Sequence, residues 1–447
     1  MAKTNKKTSK IKTVLISIIA LVLGVCIGYV VSHSFLTAEL SFYLNGSSQQ
    51  NVGLNSVYEE QGVVCEFKGK DYSQDVEITY YNENKVEVEQ ILTNIETIYY
   101  VIYVIENDDF SASLTRVVAI VDAEDLEINF MMVGNAYAGD CIYIKAGDID
   151  ILVDAGSRKT SAETITNYLQ DSTSELHSYV SDNKLEYVIA THADQDHIAG
   201  FVGSNTAPGI FEAFEIDTLI QFARSNKTSQ LYKDYCSMVE TLKSNGTTVY
   251  TALECYNNEN GASRIIELAA GIELEILYNY YYENKASNEN DYSVCFILRR
   301  GDDEFLFTGD LEHKGEEYLV EYNNLDEVYL YKLGHHGSNT SSTQTLLEVI
   351  KPEVVIGTLC AFTYEYSDND DNIFPTKQTI NTISSLGTVK HFYVNTMASD
   401  NKDGYVPANG DIVVYANYNG TGVRCSHSNE DFFNFPEFKK YRSWTAA

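Results

Sequence analysis

Alternating apolar and polar positions mark residues 38–123. Runs of this kind recur at 39–44, 63–67, 76–81, 98–105 and 114–121. Successive side chains of an extended chain point to opposite faces, so each run reads as a half-buried strand. Asn45-Gly46 and Asn107-Asp108-Asp109 supply turn chemistry between runs. The spacing predicts an all-β sandwich of about seven strands. From Ile128 the period changes. Residues 162–169, 230–242 and 343–350 carry helical spacing, whereas 217–221, 247–253 and 265–277 read as strands. Strands alternating with helices imply a layered α/β unit, placed at 127–420, with a polar, aromatic tail at 421–447. Ahead of both units, residues 13–31 form an uncharged run of 19 residues, matching the ~20 needed to cross a bilayer.

Charge gives that run a direction. Lys3, Lys6, Lys7, Lys10 and Lys12 precede it with no acid among them, which predicts a cytoplasmic N-terminus. The reading is a basic tail at 1–12 and a transmembrane signal anchor at 13–33. The bulk of the chain is then extracytoplasmic, held at the cell membrane by one span. A cleaved signal peptide competes with this reading, but its apolar stretch usually covers only roughly 7–15 residues. The chain's net charge is −33; setting the five N-terminal lysines aside leaves −38 on the rest. So acidic a field repels phosphate backbones and argues against long nucleic acid as a partner. Apart from Cys26 in the span, Cys65, Cys141, Cys236, Cys255, Cys295, Cys360 and Cys425 are scattered without Cys-x-x-Cys spacing. That excludes structural zinc fingers and favours buried thiols, with one or two disulfides open.

The candidate chemistry lies in Thr191-His192-Ala193-Asp194-Gln195-Asp196-His197. The short apolar run 185–190 before it reads as a strand, so four metal-capable side chains share one tight loop at a strand end. Two imidazoles and two carboxylates suit zinc, manganese or iron. Downstream, Phe307-Thr308-Gly309-Asp310 and Leu333-Gly334-His335-His336-Gly337-Ser338 each end an apolar run. Three strand ends carrying ligands converge only if their strands share sheets.

With these pieces the chain resembles the metallo-β-lactamase-fold hydrolases, in particular the hydrolase domain of the competence DNA-uptake channel proteins (the ComEC type). Asp194, where most of the superfamily has a second His, fits that group. Val133-Gly134 to Gly139-Asp140, Ile151-Leu152-Val153-Asp154-Ala155-Gly156 and Asn290-Asp291-Tyr292-Ser293 extend the resemblance over 127–416. It implies a four-layered αββα fold and a divalent metal cofactor, zinc or manganese, as one or two ions. The metal ligands it implies are His192, Asp194, Asp196, His197, Asp310 and His335, and the catalytic residues Asp196, Asp310 and His336. Which of His335 and His336 ligates stays open. A first site would take His192, Asp194 and Asp310, and a second Asp196, His197, Asp310 and one of the pair. The implied activity is hydrolysis of a phosphoester or phosphodiester, in a small molecule or a cell-envelope component.

Two positions depart from the family pattern. Tyr278 stands where a His follows the strand pattern ending at Leu277, and Phe374-Pro375 replaces a late His-Pro. These changes weaken the first site and leave a rival reading, a surface binding protein on a degenerate hydrolase domain. His313 and the acidic residues Asp368, Asp370 and Asp371 are weaker candidates. Residues 38–123 resemble bacterial immunoglobulin-like modules through Leu44-Asn45-Gly46, Val57-Tyr58-Glu59-Glu60-Gln61-Gly62 and Thr115-Arg116-Val117-Val118 before Val121-Asp122. That resemblance implies a spacer, or alternatively an adhesive module.

Overall fold

The computed structural model describes residues 40–441, except 47, 96, 108, 122–123, 134–138, 205–206, 364–372, 400–403 and 418–419. The expected basic tail and membrane anchor, and Asp368, Asp370 and Asp371, lie outside the described residues. Among those described, no helix is long and apolar enough to cross a membrane. The chain divides into two compact units, Met1–Val121 and Asp122–Ala447.

Among the described residues, the first unit has eight strands in two sheets. The long hairpin Thr97–Glu106 and Ser111–Val121 is the centre of a five-stranded sheet. Its alternation is the one read from the sequence: Tyr99, Val101, Tyr103 and Ile105 are buried, with half-buried residues between. Leu40–Leu44, Val63–Phe67 and Lys70–Asp71 form the other sheet. Val52, Val63, Val101, Val118 and Ile120 fill the small core between them. Arg116 is fully buried there, and its guanidinium pairs with Glu60 at 3.0 Å. The strands missed by pattern, Gln49–Gly53, Lys70–Asp71 and Glu87–Val88, are short and polar.

The second unit is mixed α/β, and its described residues form two eight-stranded sheets. Alternate residues of single strands face different cores. Phe305 and Phe307 of Asp303–Phe307 pack into the core shared with the other sheet, whereas Leu306 faces a second core. That second core is closed by Leu319 of helix His313–Tyr322 and by Leu346, Leu347 and Ile350 of helix Gln344–Ile350. Helices Ser161–Leu169 and Gln230–Asn245 cover the first sheet with Ile165, Leu169, Tyr235 and Val239. Each such apolar side chain contributes roughly 1.5–3 kcal/mol on burial. The C-terminal segment, read from the sequence as an aromatic tail able to pack back on the domain, is part of the fold. Gly420–Cys425 pairs antiparallel with Ile412–Asn417, and Phe432, Phe433, Phe435 and Phe438 are buried in the second core.

Candidate metal centre

Parallel pairing brings the chemistry to one edge. Ile149–Val153, Lys184–Ala190 and Glu215–Gln221 run parallel in the first sheet, as do Asp303–Phe307 and Leu330–Lys332 in the second. Parallel strands end on the same side, so Asp154, the His192–His197 loop, Asp310 and the His335-His336 pair all leave sheets at strand C-termini. The Val294 N–H donates to the Thr191 carbonyl at 2.9 Å and ties the two edges together. Gly309 has a φ of +55°, a conformation that side chains disfavour, and a Cβ there would lie 2.8 Å from Ser293 Oγ. That hydroxyl accepts the Asp310 N–H at 3.0 Å. His335, His336 and Gly337 are successive residues with positive φ, at 45°, 51° and 83°. Backbone held in so sparsely populated a region is typical of functional sites.

Asp196, His197, Asp310 and His336 each offer a ligand atom, all within 4.8 Å of one another. Both imidazoles point their Nε2 atoms at Asp310 Oδ2, each at 3.2 Å, and His336 Nε2 is also 3.4 Å from Asp196 Oδ2. The opposite nitrogens are anchored. His197 Nδ1 bonds Asp154 Oδ2 at 2.7 Å and His336 Nδ1 bonds the Thr358 carbonyl at 2.9 Å. An Nδ1–H donated to an oxygen leaves the Nε2 lone pair free for a metal. His336 Nε2 is buried and has no hydrogen-bond partner. An orphaned imidazole nitrogen beside two carboxylates fits a divalent ion such as zinc or manganese. The Asp196 side chain is 26% exposed while the other three are buried, so the cluster opens to solvent at Asp196.

A further charged layer lies behind this cluster. Lys332, 1% exposed, pairs with Asp140 and lies 3.5 Å from Asp310 Oδ1. Asp140 also accepts from Thr358 Oγ1 and lies 3.3 Å from His336 Nδ1. Asp154 takes the Thr191 N–H at 2.8 Å and its hydroxyl at 2.7 Å, which fixes the start of the His192 loop. Burial pushes the Asp310 carboxyl up, but His336, His197 and Lys332 outweigh it and hold it well below the carboxylate range. Burial likewise works against the His336 and His197 imidazolium forms, yet Asp310, with Asp140 or Asp154, raises both well above the usual value. The pocket of negative charge thus draws cations, protons if nothing else is bound. For His192, burial and then His197 lower the imidazole well below its ordinary value, so it is neutral.

The remaining predicted residues fall outside the four-residue cluster. His192 is buried beside it, its ring 4.1 Å from that of His197 between centroids, and its Nε2 also has no hydrogen-bond partner. Asp194 Oδ2 lies 3.7 Å from that nitrogen, but Asp194 Oδ1 is engaged by the Lys227 ammonium. His335 bonds Thr340 Oγ1 through Nδ1 at 2.9 Å, with Nε2 3.4 Å from Asn290 Nδ2. Of the pair left open by the sequence, His336 stands in the cluster. Tyr278 donates its hydroxyl to Glu283 at 2.8 Å and packs against Tyr256 and Tyr322, with centroids at 5.0 and 5.6 Å. Phe374 is buried, its ring centroid 6.3 Å from that of His335. His313 is exposed and bonds the Asn339 carbonyl at 2.8 Å. Sequence reasoning gave no role to Lys332, although a lysine between Tyr331 and Leu333 in a buried run is itself a signal of an internal ion pair.

Residues 289–356, which include Asp310 and His336, match the metallo-beta-lactamase superfamily. The chain is ComEC-like, with a metallo-β-lactamase fold. It is 27% identical over 172 residues to Recombination protein 2 of Haemophilus influenzae, a match covering 38% of this chain and 17% of the relative. It is 38% identical over 87 residues to Competence protein ComA of Neisseria gonorrhoeae, covering 19% and 12%. The chain thus spans less than a fifth of the length of these relatives. A metallo-β-lactamase of Hirschia baltica is similar in structure at 13% identity and a TM-score of 0.20, over 48% of this chain and 68% of that one.

Proposed function

We propose that the chain is a metal-dependent hydrolase of phosphoester or phosphodiester bonds, anchored in the cell membrane with its bulk outside the cytoplasm. The observation that carries this reading is the convergence of two anchored imidazole Nε2 atoms and two carboxylates at a solvent-facing strand edge. The two sheets with helices outside them are what the four-layered αββα architecture requires. When bound, a divalent ion supplies hydroxide at neutral pH and polarises a phosphoryl oxygen. His197 and His336 would hold that ion, oriented by Asp154 and Thr358. Asp196, the exposed member, would orient the attacking water and take its proton. Asp310 would ligate through Oδ2 while Lys332 neutralises Oδ1. His335, beside the cluster, is the candidate proton donor to the leaving oxygen. The first unit would serve as a spacer of immunoglobulin-like type. The acidic charge points to small or cell-envelope phosphoesters as substrates.

A phosphodiester panel assayed with zinc or manganese tests this reading. Metal-dependent turnover, lost in Asp310→Asn, is expected. The second reading, a binding protein on a degenerate hydrolase fold, draws on Tyr278 and Phe374, neither of which supplies a ligand here. It predicts a bound metal with no turnover of any member of the panel.

A further inference from the structure

Lys227 lies on the loop between strand Glu215–Gln221 and helix Gln230–Asn245. Its ammonium meets Asp194 Oδ1, on the side chain the family pattern assigns to a first metal ion. The loop is firmly placed. Glu289 accepts the Asn226 N–H at 2.6 Å with one oxygen and the Ala193 N–H at 3.3 Å with the other. One carboxylate therefore sets the backbones immediately before Lys227 and Asp194. Asn226 Nδ2 donates to the Ala286 carbonyl at 3.2 Å, and Tyr292 donates to Asn226 Oδ1 at 3.3 Å. The loop is thus tied to the segment that follows Tyr278, where the family's missing histidine would stand. Tyr278 itself is turned to Glu283. His192 and Asp194 remain, without a third ligand from that segment.

We propose that Lys227 replaces the first metal ion: the chain holds one ion, on Asp196, His197, Asp310 and His336, and the Lys227 ammonium supplies the positive charge beside Asp194. The inference rests on the hydrolase reading and narrows it to a one-metal centre. An ammonium cannot act as a Lewis acid, but it neutralises Asp194 and carries N–H donors. The Lys227 side chain is 32% exposed, so those donors are within reach of an anionic ester oxygen.

Calorimetric titration of the purified full-length chain with zinc alone, and separately with manganese alone, tests the inference. The wild type should take up one ion per chain. Lys227→Met, which keeps length and removes charge, should bind a second ion at least about tenfold more tightly than any second event in the wild type. That second ion should vanish in Lys227→Met/His192→Ala, and Lys227→Arg should remain at one. Two tight ions in the wild type, or a single ion in Lys227→Met, would overturn the inference and leave the hydrolase reading intact. No bound ion in any variant would overturn both.

Discussion

His335 and His336 are neighbours in the chain but are held by different partners, and the difference decides their roles. His336 is gripped through Nδ1 by a backbone carbonyl and aims Nε2 at Asp310, whereas His335 bonds Thr340 Oγ1 through Nδ1, with Glu312 3.6 Å away, and has Nε2 beside the Asn290 amide. His336→Ala should lower metal affinity more than about 100-fold, beyond what loss of a supporting partner costs, and His335→Ala by less than about tenfold. Competition with a chromogenic chelator measures both, and the reverse order would refute the assignment. Asp291 gives a pH prediction. Burial, then Glu312, pushes its carboxyl up to about 6, against roughly 3.9 in an unfolded chain. The folded chain holds this proton more tightly, so stability falls as pH rises from about 4 to about 6, and the cost is complete above that. Asp291→Asn should therefore be more stable than wild type at pH 8 by about 1–2 kcal/mol, allowing for solvent screening, and no more stable at pH 4. Denaturant titrations at the two pH values check it; an equal gain at both would show a different cause. The residue types of the cluster were legible because histidines and aspartates gathered at strand ends. The choice within the His pair was not, because it depends on which ring Thr358 and Asp140 reach from distant strands.

At the scale of elements, the site depends on turns that leave the sheets. Gly200 packs so closely that a Cβ would lie 2.0 Å from the Ala155 carbonyl oxygen. Ala155 in turn donates its N–H to the His197 carbonyl at 2.7 Å. Gly200→Ala should push the His197 turn off the Asp154 strand, and Gly309→Ala should displace Asp310 from Ser293. Both variants should lose metal more steeply than they lose melting temperature. Metal content and a thermal melt on the same samples compare the two effects; full metal occupancy in either variant would count against this account of the turns. The strands that carry the cluster were readable as apolar runs with metal-capable residues at their ends. Gly420–Cys425 was not, since its Gly-Thr-Gly-Val-Arg-Cys sequence is half-buried with little apolar signal, and pairing with Ile412–Asn417 makes it a strand. Tyr278 was legible as a departure from the family's histidine, but only the fold shows its hydroxyl committed to Glu283.

At the scale of the whole molecule, the proposed topology, with the bulk of the chain outside the cytoplasm, rests on the lysine-rich start, the uncharged run after it and the acidic remainder. Protease added to intact cells with an opened outer envelope should degrade residues beyond about 36 and spare the N-terminal lysines; full protection would contradict the topology. The acidic charge also bears on the centre. Four buried or half-buried carboxylates, Asp140, Asp154, Asp196 and Asp310, converge near a single buried lysine, Lys332. An additional cation is what this arrangement lacks, and the orphaned His336 Nε2 marks where it would bind. Anomalous X-ray diffraction at the zinc edge, from crystals of the chain grown with zinc, tests that claim most directly. The account predicts a peak coordinated by Asp196, His197, Asp310 and His336. No peak among those four residues, or a peak held by other groups alone, would contradict it.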